Sequence, residues 1–140
     1  MHLAVPFLWL LMASPALAWS FSYTPICTID GAGPVPMRVT FDPATGVYGL
    51  RLTRTEGWPD AAVLSIQFEN GAPLTISTDR HRIDGPYLEV TDSGFGNVLR
   101  GMALNETATV RLGALALPIN LTGAAGPVAD FRACPQAATS

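Results

Sequence analysis

The sequence predicts an all-β domain, a compact β-sandwich or partly closed barrel of about seven short strands with two short helices. Three observations predict it. Apolar and polar residues alternate in short runs through the middle of the chain, as Met37, Val39 and Phe41 do with Arg38 and Thr40. Turn chemistry separates the runs, most clearly at Asp42-Pro43-Ala44-Thr45-Gly46 and Asn70-Gly71. Two cysteines, Cys27 and Cys134, stand near opposite ends of the chain, which suits a compact domain whose ends meet.

The elements follow in order. Trp19, Phe21 and Tyr23 form an aromatic run suited to packing in a first strand. Residues 37–41 and 47–54 read as a hairpin, with Tyr48, Leu50 and Leu52 on one face of its second strand. The polar loop Thr55-Glu56-Gly57-Trp58-Pro59-Asp60 leads to a strand at 63–68, where Leu64, Ile66 and Phe68 alternate with Ser65 and Gln67. Asn70-Gly71 turns the chain into a strand at 74–78, and residues 87–91 form the next, with Leu88 and Val90 inward. The period then changes. Phe95, Val98, Leu99 and Met102 fall on one face of a short helix, which Asp92 or Ser93 is placed to cap. Residues 107–112 and 115–121 return to strand, and Pro118 assigns the second to an edge or a bulge. Pro127 opens a short helical turn that carries Val128 and Phe131 inward toward Cys134, and residues 137–140 fray.

Residues 1–18 carry the features of a signal peptide. Residues 3–17 are apolar apart from Ser14, and Ala16-Leu17-Ala18 is a small-x-small site that places cleavage between Ala18 and Trp19. The apolar run is interrupted by Pro6 and Pro15 and falls short of the roughly 20 residues a spanning helix needs. The expected product is one domain, residues 19–140, with no transmembrane anchor after cleavage, in the periplasm or secreted. Cysteines pair in such an oxidising compartment, so Cys27 and Cys134 are expected to form a disulfide. It would close a loop on the order of 100 residues, for which chain entropy gives at most about 4.7 kcal/mol.

Composition excludes several function classes. A formal net charge of −3 argues against a nucleic-acid partner, which would call for a basic stripe. The eight basic residues are all arginine. Without lysine there is no phosphate-cradling G-x-x-x-x-G-K-[ST] loop and no Schiff-base chemistry, so no nucleotide and no cofactor is expected.

The richest polar cluster is Thr78-Asp79-Arg80-His81-Arg82-Ile83-Asp84-Gly85. In an extended segment Asp79 and His81 share one face, and Arg80 and Arg82 the other. That arrangement offers an Asp–His pair for acid–base work, or two guanidinium groups for a carboxylate or phosphate; the plainer reading is a solvated strand end. Asp79, His81, Asp84, Glu89 and Asp92 lie close in sequence, but their spacing matches no zinc or calcium loop, and no metal is assigned. No G-x-S-x-G elbow is present and no residue is assigned as catalytic. Trp58, in a Gly-Trp-Pro loop, offers a ring for stacking on a sugar or partner, or packs as a lid on the sheet. The candidate binding residues are therefore Arg80, His81, Arg82 and Trp58.

The carboxyl half adds a pattern of small and apolar positions: Ile83-Asp84-Gly85, the apolar helix at 94–102, the strand at 115–121, and the Leu121-Thr122-Gly123-Ala124 step into a terminal helix. In this it resembles small secreted bacterial proteins of the invasion-associated locus B type. The resemblance implies a periplasmic or secreted β-rich domain without established catalysis, loosely linked to host-cell association. The chain departs from that family in pairing cysteines near its termini, where a central pair is usual. The functional expectation is a non-enzymatic exported binding or envelope-associated domain whose partner is a protein or envelope component. The alternatives are an inhibitor that presents residues 55–60 to a secreted or periplasmic enzyme, and a small hydrolase centred on Asp79 and His81.

Overall fold

A computed structural model describes residues 18–138 of the chain. The predicted signal segment before Ala18 lies outside the described residues. Among the described residues ten strands form two antiparallel sheets, which do not close into a barrel, and two helices accompany them. The six-stranded sheet runs in the order β1 (Trp19–Ser22), β2 (Cys27–Gly31), β3 (Met37–Asp42), β4 (Val47–Thr53), β8 (Tyr87–Asp92), β7 (Arg82–Asp84). The four-stranded sheet runs β10 (Leu115–Asn120), β9 (Asn105–Leu112), β5 (Leu64–Gly71), β6 (Leu74–Thr78). Helix α1 (Gly96–Leu104) lies between β8 and β9 in sequence, and α2 (Ala125–Ala138) follows β10.

Alternation decides which face of each strand is buried. In the larger sheet Ile29, Val39 and Leu50 stand in register across β2, β3 and β4 and turn inward. In the smaller sheet Leu64, Ile66 and Phe68 of β5 stand opposite Leu112, Val110 and Ala108 of β9, all buried. The two inner faces and one side of each helix form a common core, with Phe68 and Phe131 its largest fully buried side chains. Trp19 ties the sheets together at one margin: its ring lies against Gly31 and its Nε1–H donates to the Asn120 carbonyl at 3.0 Å.

Outward positions of the larger sheet carry charge. Asp30, Arg38, Arg51, Glu89 and Arg82 occupy one row across five strands. Within it Arg38 pairs with Asp30 at 2.7 Å, Arg51 with Glu89 at 2.8 Å, and Arg82 approaches Glu89 at 3.6 Å. Arg51 also lies 4.3 Å over the Tyr87 ring. Each like-charged neighbour in the row has its own carboxylate, which offsets the repulsion of Arg38 directly opposite Arg51.

Several expectations are corrected. The seven expected strands are all present, and β2, β7 and the aromatic opening strand β1 bring the number to ten. The carboxyl-terminal helical turn is instead a helix of 14 residues. The expected disulfide joins Cys27, at the start of β2, to Cys134 of α2, with Cα atoms 6.3 Å apart. Neither Asp92 nor Ser93 caps α1: Phe95 is the N-cap, with no side-chain hydrogen bond, and Asp92 Oδ1 accepts from the Ser93 N–H at 2.7 Å. Pro118 does lie on an edge strand, since β10 ends the smaller sheet.

Candidate functional site: an inter-sheet cleft

The Thr78–Gly85 segment does not run as one strand. After β6 the chain leaves the smaller sheet at Asp79 and enters the larger one at Arg82, so the polar cluster is a crossover between sheets. This separates its side chains. His81 turns beneath the loop that precedes β5 and its Nε2–H donates to the Ala61 carbonyl at 2.9 Å, while Nδ1 is buried without a partner. Arg82 is exposed and faces Glu89 on the outside of the larger sheet. Asp79 is exposed and makes no hydrogen bond to His81. Arg80 stands alone of the four at the mouth of a cavity.

That cavity is a cleft of about 480 Å³ between the free margins of the two sheets. Its walls are Leu50 and Val90 from the larger sheet, Leu64, Ile66 and Ile76 from the smaller one, and Val98 from α1. It exists because two hairpins end at this margin without pairing with each other. Strand β6 is bonded only to β5, and β7 covers only the first half of β8, leaving Val90, Thr91 and Asp92 at the sheet edge. The start of α1 fills one end, where Phe95 is buried and stacks on Tyr48 at a ring separation of 5.6 Å.

The rim is polar. Thr78, Arg80, Thr91, Asp92 and Asn97 line it. Thr78 Oγ1 accepts from the Arg80 N–H at 3.1 Å, which sets the backbone direction as the chain leaves β6. Among the described residues the Arg80 guanidinium forms no hydrogen bond and no ion pair. The Asp92 carboxylate is engaged by Ser93, through its N–H and its hydroxyl. The first turn of α1 carries no acidic residue and no side-chain cap, so its N–H groups present positive partial charge along the same wall.

Trp58 belongs to a different surface. Its Nε1–H donates to the Pro86 carbonyl at 2.9 Å, and its ring packs half-buried against the core, the lid arrangement. Arg54 braces the loop, donating from Nη1 to the Gly57 carbonyl at 2.6 Å, and Gly57 N–H donates back to the Arg54 carbonyl at 2.9 Å. A shallow depression beside this loop involves Glu56, Trp58 and Leu115 and shares no residue with the cleft. The structure thus brings only Arg80, of the four sequence-predicted residues, to the inter-sheet cleft. Ile76, Val90, Asn97 and Val98 also line it; the sequence marks Val90 and Val98 as inward-facing but none of the four as a site residue. Alternation of Leu74 and Ile76 marks the apolar face of a strand that runs toward Arg80, but no local signal joins Val90, Val98 or Asn97 to it.

Among the described residues no three His, Cys, Asp or Glu side chains converge as a metal centre requires, and no helix is long and apolar enough to cross a membrane. Comparison of the chain with protein-family models, curated proteins and solved structures finds no match.

Proposed function

We propose that the protein is a non-enzymatic binding domain of the periplasm or the secreted fraction, associated with the cell envelope, and that the inter-sheet cleft is its binding site. The observation that carries this reading is the cleft: its volume of about 480 Å³ falls in the range of small-ligand sites, roughly 300–1,000 Å³, and it combines apolar walls with a few polar groups at the mouth. The Cys27–Cys134 disulfide supports an oxidising compartment. The signal peptide at 1–18 and the kinship with invasion-associated locus B proteins are part of the proposal and rest on the residue patterns alone.

The test is thermal denaturation of the oxidised protein in extracts of the cell envelope. A ligand present well above its dissociation constant raises the midpoint by about 5–10 °C. The shift is expected for the wild type and not for Ile76→Trp, which fills the cleft from a half-buried edge position. An equal shift in both proteins would remove the cleft from the account, and no shift in any envelope fraction would remove the binding role.

The braced loop gives the inhibitor reading its own support, since hydrogen bonds at Arg54, Gly57 and Trp58 hold Thr55, Glu56, Pro59 and Asp60 out in a fixed shape. Protection of a periplasmic or secreted hydrolase at micromolar concentration, lost on changing residues 55–60, is what that reading requires. The hydrolase reading has less to stand on. His81 Nε2 is committed to the Ala61 carbonyl, and Asp79 is not its partner, so no acid–base pair is arranged.

A further inference from the structure

We infer that the cleft takes a single-chain amphiphile bearing one anionic head group, such as a medium-chain carboxylate, with its apolar tail between the sheets and its head at Arg80. This rests on the proposed binding role and names the ligand class for that site. The two sheets and α1 supply aliphatic contacts from Leu50, Leu64, Ile66, Ile76, Val90 and Val98, which favour an apolar group for the buried part of a ligand. The mouth supplies the specificity. Among the described residues Arg80 is the only basic one lining the cleft, and its guanidinium has no carboxylate partner there. The other arginines of this region differ: Arg82, Arg51 and Arg38 are each spoken for by Glu89 or Asp30. Asp92 is the one carboxylate on the rim, and Ser93 binds it from its own backbone and hydroxyl. A planar guanidinium is suited to a carboxylate through paired hydrogen bonds. The cavity and Arg80 carry the inference; the uncapped first turn of α1 adds positive partial charge on the same wall. A recess of about 480 Å³ suits one chain rather than a bilayer surface, and the occupant is therefore a free monomer.

The experiment is calorimetric titration of the full chain, exported and purified in its oxidised form, with laurate, decanoate, dodecyltrimethylammonium and dodecyl maltoside, each below its micelle-forming concentration. Laurate is expected to bind one to one. Decanoate, two methylenes shorter, should bind about tenfold more weakly. Arg80→Glu, at an exposed position that does not threaten folding, should weaken laurate by about tenfold or more and leave dodecyl maltoside unchanged. Ile76→Trp should abolish binding of all four. Equal affinity for the three dodecyl head groups, or indifference of laurate to Arg80→Glu, would overturn the anionic-head assignment. Co-sedimentation with phosphatidylglycerol vesicles in the absence of monomer binding would overturn the assignment in favour of a membrane surface. Absence of binding by every probe, with the envelope-extract shift retained, would overturn the ligand class while leaving the binding role; loss of both would overturn both.

Discussion

A Cβ added at Gly101 would stand 2.5 Å from the Phe68 ring, so this glycine sets how closely α1 seats on the smaller sheet. On an exposed helix surface Gly→Ala is favourable by about 1 kcal/mol. Here overpacking against a fully buried ring dominates, and Gly101→Ala is expected to lower stability by about 1–2 kcal/mol, read as a lower denaturant midpoint at unchanged slope. A midpoint raised by the substitution would show that Phe68 gives way freely. The apolar face of this helix was legible, because Val98, Leu99 and Met102 repeat at helical spacing and all three are buried. The role of Gly101 was not, since a close approach depends on what arrives from the facing sheet. The same holds for Asn105. It closes α1 by donating from Nδ2 to the Gly101 and Ala72 carbonyls, at 3.0 and 2.9 Å, and nothing local in the sequence names Ala72 as its partner. His81 was conspicuous as a residue; its acceptor, Ala61, lies 20 positions away and could only be found in the fold.

At the scale of elements, strands with one wet face were legible and strands with other surroundings were not. β3, β4 and β5 alternate buried and open positions over much of their length, and that alternation located them, although β5 runs on through Gly71, beyond its alternating part. β2 is buried at Cys27, Thr28, Ile29 and Gly31, so its sequence shows no period of two. β7 is three exposed residues whose pairing with β8 comes from topology. The missed α2 length has a similar origin: its buried residues, Val128, Phe131 and Cys134, mark one face, but two prolines in its sequence argue for a shorter turn. Pro118 was read correctly because its missing N–H excludes it from an inner strand. On β10 it also guards the free margin of the smaller sheet. Pro118→Val is expected to leave the fold intact and to promote self-association, measured as a concentration-dependent rise in sedimentation coefficient. An unchanged monomer at high concentration would show that the β10 edge needs no such guard.

For the whole molecule, the sheet order explains both the clasp and the cleft. α2 returns the carboxyl end to the inner face of the larger sheet beside β1 and β2, where Phe131 meets Phe21 and Tyr48 and Cys134 meets Cys27. The opposite margin has no such closure, because the β5–β6 and β7–β8 hairpins belong to different sheets. The candidate site was therefore hidden in the sequence: its walls come from four strands and a helix that only the topology brings together. Reduction of the disulfide should lower stability by roughly 2–5 kcal/mol, measured by guanidinium denaturation with and without reductant, since the bond closes 107 positions of chain. The central claim is that the chain is exported and closed by Cys27–Cys134, for the proposed site works only on that scaffold and in that compartment. The most direct measurement is the intact mass of the protein recovered from outside the cytoplasm, alkylated before and after reduction. The account predicts a product that begins at Trp19 and takes up two alkyl groups only after reduction. A product that retains Met1, or thiols that react without reductant, would contradict it.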